Sequence, residues 1–118
     1  METRAEAGVR VFEEVLGKPA RPARTPVAEA ARDFLFAEVW SRPGLDRRSR
    51  FWITLTCAAA ASSTFAMRTY VTAALDTGLV TEAELREFAL QFACYQGFPK
   101  SATFEVMLSE LLAERAKT

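Results

Sequence analysis

Apolar residues recur three and four apart along most of this chain, and nowhere do they alternate usefully at the two-residue period of a strand. Recognisable starts and stops cut these runs into about six helical segments. The fold class expected is therefore all-α, in a single domain spanning residues 1–118. Half of the residues are apolar, enough for a core in a chain of this size.

The first segment runs from about Glu2 to Leu16, with Val9, Phe12 and Leu16 on one face and Gly17 as a stop. Lys18 to Pro26 holds three prolines and reads as an extended linker. A second helix is expected from about Pro26 to Trp40, with Thr25 as N-cap and Pro26 in the first position. Its stripe at α-helical spacing is Val27, Ala30, Ala31, Phe34 and Leu35, and the next position on that stripe is Glu38. Ser41 to Leu45 is a turn. Asp46 then caps a third helix reaching about Ser62, apolar nearly all round from Phe51 to Ala61, the pattern of a central, buried helix. A fourth helix, Phe65 to Thr77, carries Met67, Tyr70, Val71, Ala74 and Leu75 on one face, and Gly78 ends it. Thr81 and Glu84 form a capping box opening a fifth helix, with Leu85, Phe88, Ala89, Phe92 and Tyr95 on its inward side. Gly97 and Pro99 break the chain. A last helix, about Ser101 to Arg115, buries Phe104, Met107, Leu108, Leu111 and Leu112. So high an apolar content in short helices leaves surface over for self-association.

Charge excludes several function classes. Lys+Arg and Asp+Glu number 15 each, so the chain has no electrostatic footprint for nucleic acid or an anionic membrane. No apolar run approaches the roughly 18 residues of a spanning helix. The charged start, Met1 to Glu6, has no secretory h-region. Two cysteines, Cys57 and Cys94, do not make a disulfide framework. A cytoplasmic protein with reduced thiols is expected, and both thiols are expected to behave as small buried hydrophobes. No spacing encodes a metal site, and no Gly-rich phosphate loop is present.

The corner Glu38-Val39-Trp40-Ser41-Arg42-Pro43-Gly44-Leu45-Asp46-Arg47-Arg48-Ser49-Arg50 concentrates the chemistry. It sets one carboxylate beside several permanent cations where two helices meet, an arrangement suited to a carboxylate or enolate ligand. The chain has no histidine, the usual proton shuttle near neutral pH, so proton chemistry falls to Glu, Asp, Tyr, Cys or Lys. Glu38, on an apolar stripe, is either an acid/base or substrate-orienting group, or one half of a buried ion pair with Arg48 or Arg50. Arg42, Arg48 and Arg50 are candidates for bidentate carboxylate binding; the alternative is that they are solvated or pair with Glu38 and Asp46. Arg47 is the one best suited to a purely surface place. The aromatics Phe34, Phe36, Trp40, Phe51, Trp52, Phe65, Phe92, Tyr95 and Phe98 are expected to be mostly core. Trp40, near the Glu38 corner, and Tyr95, near the Gly97 turn, are candidates for the walls of an apolar pocket.

These residues fall into a pattern. Arg4-x3-Gly8 with Val15-Leu16-Gly17, then Phe36-Ala37-Glu38-Val39-Trp40-Ser41-Arg42-Pro43-Gly44-Leu45, then Arg48-Ser49-Arg50 with Ile53-Thr54-Leu55, resemble successive motifs of the carboxymuconolactone decarboxylase family, part of the alkylhydroperoxidase-D-like fold. Ala73-Ala74-Leu75-Asp76-Thr77-Gly78-Leu79 and Gln91-Phe92-Ala93-Cys94-Tyr95-Gln96-Gly97-Phe98-Pro99 resemble its two downstream motifs. Ala37 stands where glycine is usual. The resemblance implies a trimer or hexamer. It also implies that Tyr70 occupies the place of the decarboxylases' histidine, just before the Ala-Ala-Leu segment. A phenol with an ordinary pKa near ~10 donates a hydrogen bond at neutral pH and is a poor base, so a catalytic Tyr70 would steady an oxyanion. Otherwise it is a core tyrosine. The peroxidase branch carries two cysteines three apart and a following histidine, which this chain lacks.

Two functions compete. One is a cofactor-free lyase or isomerase on a small carbonyl, lactone or carboxylate compound, with arginine holding the carboxylate or oxyanion, Tyr70 donating a hydrogen bond and Glu38 moving the proton. The other is a non-catalytic ligand-binding or assembly protein of the same fold. A thiol peroxidase is disfavoured by the missing cysteine pair.

Overall fold

The computed structural model describes residues 1–117, which separate into two compact units, Met1–Arg50 and the chain from Phe51 onward. Six helices account for the order, and no strand occurs among the described residues.

In the first unit, α1 spans Arg4–Leu16. Its start is a capping box absent from the sequence reading: the Thr3 hydroxyl accepts from the Glu6 N–H at 3.1 Å, and the Glu6 carboxylate accepts from the Thr3 N–H at 2.8 Å. Gly17 ends it in the left-handed conformation, φ 64°. Thr25 caps α2, Pro26–Ala30, which continues without a break as a π-helix over Ala31–Val39. The wider turn is visible where the Trp40 N–H reaches the Leu35 carbonyl five residues back, at 2.9 Å. Beyond the turn, the Asp46 carboxylate accepts from the Ser49 N–H at 2.7 Å and caps α3, Arg47–Ala60, as the sequence indicates.

The π-helix overturns the expected stripe. Val27, still in α2, is 81 % exposed; beyond Ala30 a register of 3.6 residues per turn no longer holds, and Phe34, 57 % exposed, and Leu35 lie outside. Phe36 and Trp40 turn inward instead. Phe12 of α1 meets Phe36 edge-on at 5.1 Å, and Phe36 stacks on Trp40 at 6.4 Å. With Val11 and Leu16 these rings form the apolar centre of the unit. Val9, expected inward, is exposed.

In the second unit, α6 (Phe98–Ala116) packs against both α4 (Thr64–Asp76) and α5 (Glu82–Gln96). Its start lies earlier than expected because Pro99 falls in its first turn, where a missing N–H costs nothing. Phe104, Leu108, Met67, Val71 and Leu85 are fully enclosed. Phe88 joins a chain of rings: it stacks on Trp52 at 5.7 Å and on Phe92 at 5.4 Å, and meets Phe104 edge-on at 5.0 Å. Inside the core, Ser101 donates to the Ala89 carbonyl at 2.7 Å, so the buried hydroxyl is satisfied. Ion pairs Arg68–Glu114, at 2.6 Å, and Arg115–Asp76, at 2.7 Å, tie α4 to α6 at the surface. Contrary to expectation, α3 is buried on one side only: Phe51, Leu55, Ala58 and Ala59 are inward, while Ile53, Thr56 and Cys57 are exposed. The aromatics also divide more evenly than expected, since Phe34, Phe65, Tyr95 and Phe98 lie outside.

Gly8 is the point where α1 touches the π-helix. A Cβ added there would sit 2.0 Å from the Arg32 carbonyl oxygen and 2.7 Å from its carbon, a backbone clash that no rotamer relieves. Gly8→Ala should therefore lower stability by about 1–3 kcal/mol, although the same change inside an unobstructed helix stabilises by up to ~1 kcal/mol. Denaturant unfolding of the two proteins decides this by its sign; an unchanged or higher midpoint would contradict the contact.

Candidate active site

The first unit supplies the charged groups. Glu38 lies near the end of the π-helix with its side chain 40 % exposed, and it accepts a hydrogen bond from the Arg4 guanidinium of α1. Of the two alternatives for Glu38, the buried ion pair with Arg48 or Arg50 is thus replaced by a part-exposed pair with Arg4. The cause is the α1 contact at Gly8: Arg4 lies one helical turn before it, on the same face, and so reaches the π-helix that carries Glu38. Sequence reasoning did not single out Arg4 as a partner, and its four-residue spacing from Gly8 was the available signal. Ser41 closes the end of the π-helix, its hydroxyl donating to the carbonyls of Ala37 at 2.7 Å and Glu38 at 3.2 Å.

The arginines of the corner divide by environment. Arg47 is half-buried and pairs with Glu14 of α1 at 3.0 Å, so it is not a purely surface residue. That bond is the first cause holding the Glu14 carboxyl below its usual range. The Asp46 carboxyl is also lowered, first by the Ser49 N–H it caps and further by the nearby Arg48 charge. Arg48 is half-buried and has interactions of its own in the protein. Arg42 is exposed. Arg50 differs from all of these. One of its terminal nitrogens donates to the Arg42 carbonyl at 3.2 Å, while its Nε–H is buried with no hydrogen-bond partner in the protein. Leaving a buried donor unmet costs about 1–3 kcal/mol, and more when the group is charged. A ligand carboxylate oxygen would relieve that cost, and the guanidinium edge that pairs Nε with a terminal nitrogen fits such a group.

Trp40 is buried and stacked on Phe36, among the apolar residues of the first unit. In the second unit, Tyr70 is half-buried on the inward side of α4, flanked in sequence by the buried Met67, Val71 and Ala74. Burial pushes its pKa above the ordinary phenol value, so the hydroxyl keeps its proton at neutral pH. Tyr95 is 82 % exposed near the end of α5, not on the inward side where helical spacing put it. Cys57 and Cys94 are free and also exposed, which corrects the expectation that they are buried. Among the described residues no group of three or more Cys, Asp and Glu side chains is placed to hold a metal ion, and no helix is long and apolar enough to cross a membrane.

The first unit offers an anion-seeking guanidinium and a carboxylate anchored by a second arginine, and the second unit, by itself, a neutral phenol. The model of the carboxymuconolactone decarboxylase family matches residues 25–107. A nitrosuccinic acid decarboxylase, npaB, of Metarhizium robertsii is 32 % identical over 102 residues, covering 80 % of this chain and 71 % of that protein. A 4-carboxymuconolactone decarboxylase of Acinetobacter baylyi is 31 % identical over an alignment of 121 positions, covering 96 % of this chain and 90 % of that protein. The motifs around Glu38, Arg50 and Tyr70 all fall inside the matched region, and the chain belongs to the carboxymuconolactone decarboxylase family.

Proposed function

We propose that this protein is a cofactor-free decarboxylase acting on a small carboxylate whose departing CO2 lies beside an electron-withdrawing carbonyl, lactone or nitro group. The observation that carries the reading is the buried, unmet Nε–H of Arg50, in a chain whose relatives are decarboxylases of small carboxylates. In this reading Arg50 grips a substrate carboxylate or the oxygen that gains charge. The bond to the departing carboxylate breaks, its electron pair moves into the acceptor group as an enolate or nitronate, and CO2 leaves. Tyr70, which we place at the position of the family's histidine, donates a hydrogen bond to that oxygen. A proton taken up from solvent and relayed by Glu38 then closes the carbon, so that carboxylate plus one proton becomes CO2 plus a C–H bond. Arg42 and Arg48 are the further cations, and Trp40 and Tyr95 the aromatic groups, assigned to substrate binding. All these groups must act on one substrate molecule for the reading to hold.

The ion pair that already occupies Glu38 favours one other reading, a ligand-binding or assembly protein of the same fold. Release of CO2 from nitrosuccinate and from 4-carboxymuconolactone separates the two. The decarboxylase reading expects turnover of at least one. It expects Tyr70→Phe to lower kcat by about 10²–10³ with the fold intact, and Arg50→Gln to raise KM. No turnover of either compound, or turnover indifferent to Tyr70→Phe, moves the protein to the binding reading.

Tyr70 also predicts a pH dependence. Its folded pKa is raised, so its contribution to stability is fully present below the ordinary phenol value near ~10 and is lost as pH rises through the raised one. A phenolate absorbance titration should show a late component that Tyr70→Phe removes. Loss of an ordinary-range component in that variant would contradict the burial of the hydroxyl.

The chain is further proposed to self-associate, as a trimer or hexamer. Phe65 and Phe98 of the second unit are 82 % and 71 % exposed, and apolar side chains left open to solvent support that reading where they join into a patch. Sedimentation equilibrium should give a species larger than the monomer, and Phe65→Glu should weaken it; a stable monomer at micromolar concentration would contradict this.

A further inference from the structure

The second unit carries an open groove of about 490 Å³ lined by Trp52, Ala83, Glu84, Glu87, Phe88 and Gln91. Its two stacked rings, Trp52 and Phe88, lie 5.7 Å apart and 20° from parallel. Glu84, Glu87, Phe88 and Gln91 fall at the spacing of one face of α5. Among the described residues, the charged side chains lining the groove, Glu84 and Glu87, are both acidic. The nearest basic residue in sequence, Arg86, pairs with Glu105 of α6 instead.

The first unit carries a segment with the opposite chemistry. Between Gly17 and Thr25 the chain reads Lys18-Pro19-Ala20-Arg21-Pro22-Ala23-Arg24, a three-residue repeat outside any helix. Exposure follows the same period. Ala20 and Ala23 are half-buried, while both prolines and all three cations are exposed. The Ala20 N–H is fixed by the Glu13 carboxylate at 2.9 Å. A polyproline helix has three residues per turn, so this repeat, held in that conformation, would present prolines along one edge and cations along another. Among the described residues, none of the three cations forms an ion pair.

We propose that the strap of one copy of this chain docks in the acidic, aromatic groove of another copy, Pro19 and Pro22 against Trp52 and Phe88, and Arg21 against Glu87. Aromatic grooves with acidic rims suit proline-rich basic segments, because the extended segment is ordered before it binds and the prolines lie flat on the rings. The proposal rests on the self-association reading and names one of its contacts. The apolar side chains of the second unit supply affinity without needing this contact, so the two can fail separately.

Charge reversal in the full chain tests it, read by sedimentation equilibrium at low salt. Arg21→Glu and Glu87→Arg should each weaken self-association roughly tenfold, and the double variant should regain most of the loss. The synthetic peptide Lys18 to Arg24 should quench tryptophan emission saturably in the wild type and not in Glu87→Arg. If both single reversals leave association unchanged while Phe65→Glu abolishes it, the chain assembles through its apolar faces and the strap contact is wrong. Association weakened by the single reversals but not recovered in the double variant also overturns the pairing. Peptide binding by a chain that stays monomeric overturns the second copy as occupant, the groove then serving a basic segment of some other protein.

Discussion

The backbone contact between α1 and the π-helix governs the first unit. At Gly8 the two helices come close enough that only a hydrogen fits between the chain and the Arg32 carbonyl. Nearness of that kind sets everything beside it. Arg4, one turn earlier, is delivered to Glu38. Phe12, one turn later, is delivered to Phe36. The π-helix supplies the matching half: its wider turn aims Phe36 and Trp40 at α1 and leaves Phe34 and Leu35 outside. A regular α-helix over the same residues would rotate that choice, and Glu38 would move with it.

The corner that follows shows how one short stretch divides its charges between structure and chemistry. Asp46 caps α3, Arg47 ties that helix back to Glu14, and Arg42 offers its carbonyl to Arg50. Each of these contacts satisfies a group that the turn exposes. Among the described residues, Arg50 alone keeps a buried side-chain donor unmet. A folded protein rarely leaves such a group without compensation, and a ligand carboxylate is the compensation that fits both the geometry of the guanidinium and the chemistry of the family. The arginines are therefore not interchangeable, although their sequence positions look alike.

Much of this was legible beforehand. The Thr81 capping box, Gly17, Gly78 and the Pro26 start are local chemistry, so helix number and most boundaries followed from nearest neighbours in sequence. The inward faces of α4 and α6 were legible for the same reason, as regular helices keep a 3.6-residue register. The second helix was not, because nothing in a composition of Ala, Arg, Asp, Phe and Leu signals a change to π geometry. Tyr95 was misplaced near the end of α5, where the inward stripe has already run out. In the site, the candidate types were readable and their partners were not. Glu38 found a cation 34 residues away in sequence, while the arginines printed beside it serve other groups. Pairing of that kind is decided by which helices touch, and here that depends on a single glycine.

The central claim is that Arg50 is the anion anchor of this protein, and the resonance of its Nε–H reports on it directly. Proton–nitrogen correlation spectra of the folded chain, with Arg50 assigned by Arg50→Lys, should be followed as succinate is added. The account predicts a saturable downfield shift of the Arg50 Nε–H, as the unmet donor gains a carboxylate, with smaller changes at the Arg4 signal. A titration that moves the exposed Arg42 while Arg50 stays fixed, or one that moves no arginine signal at all, would contradict it.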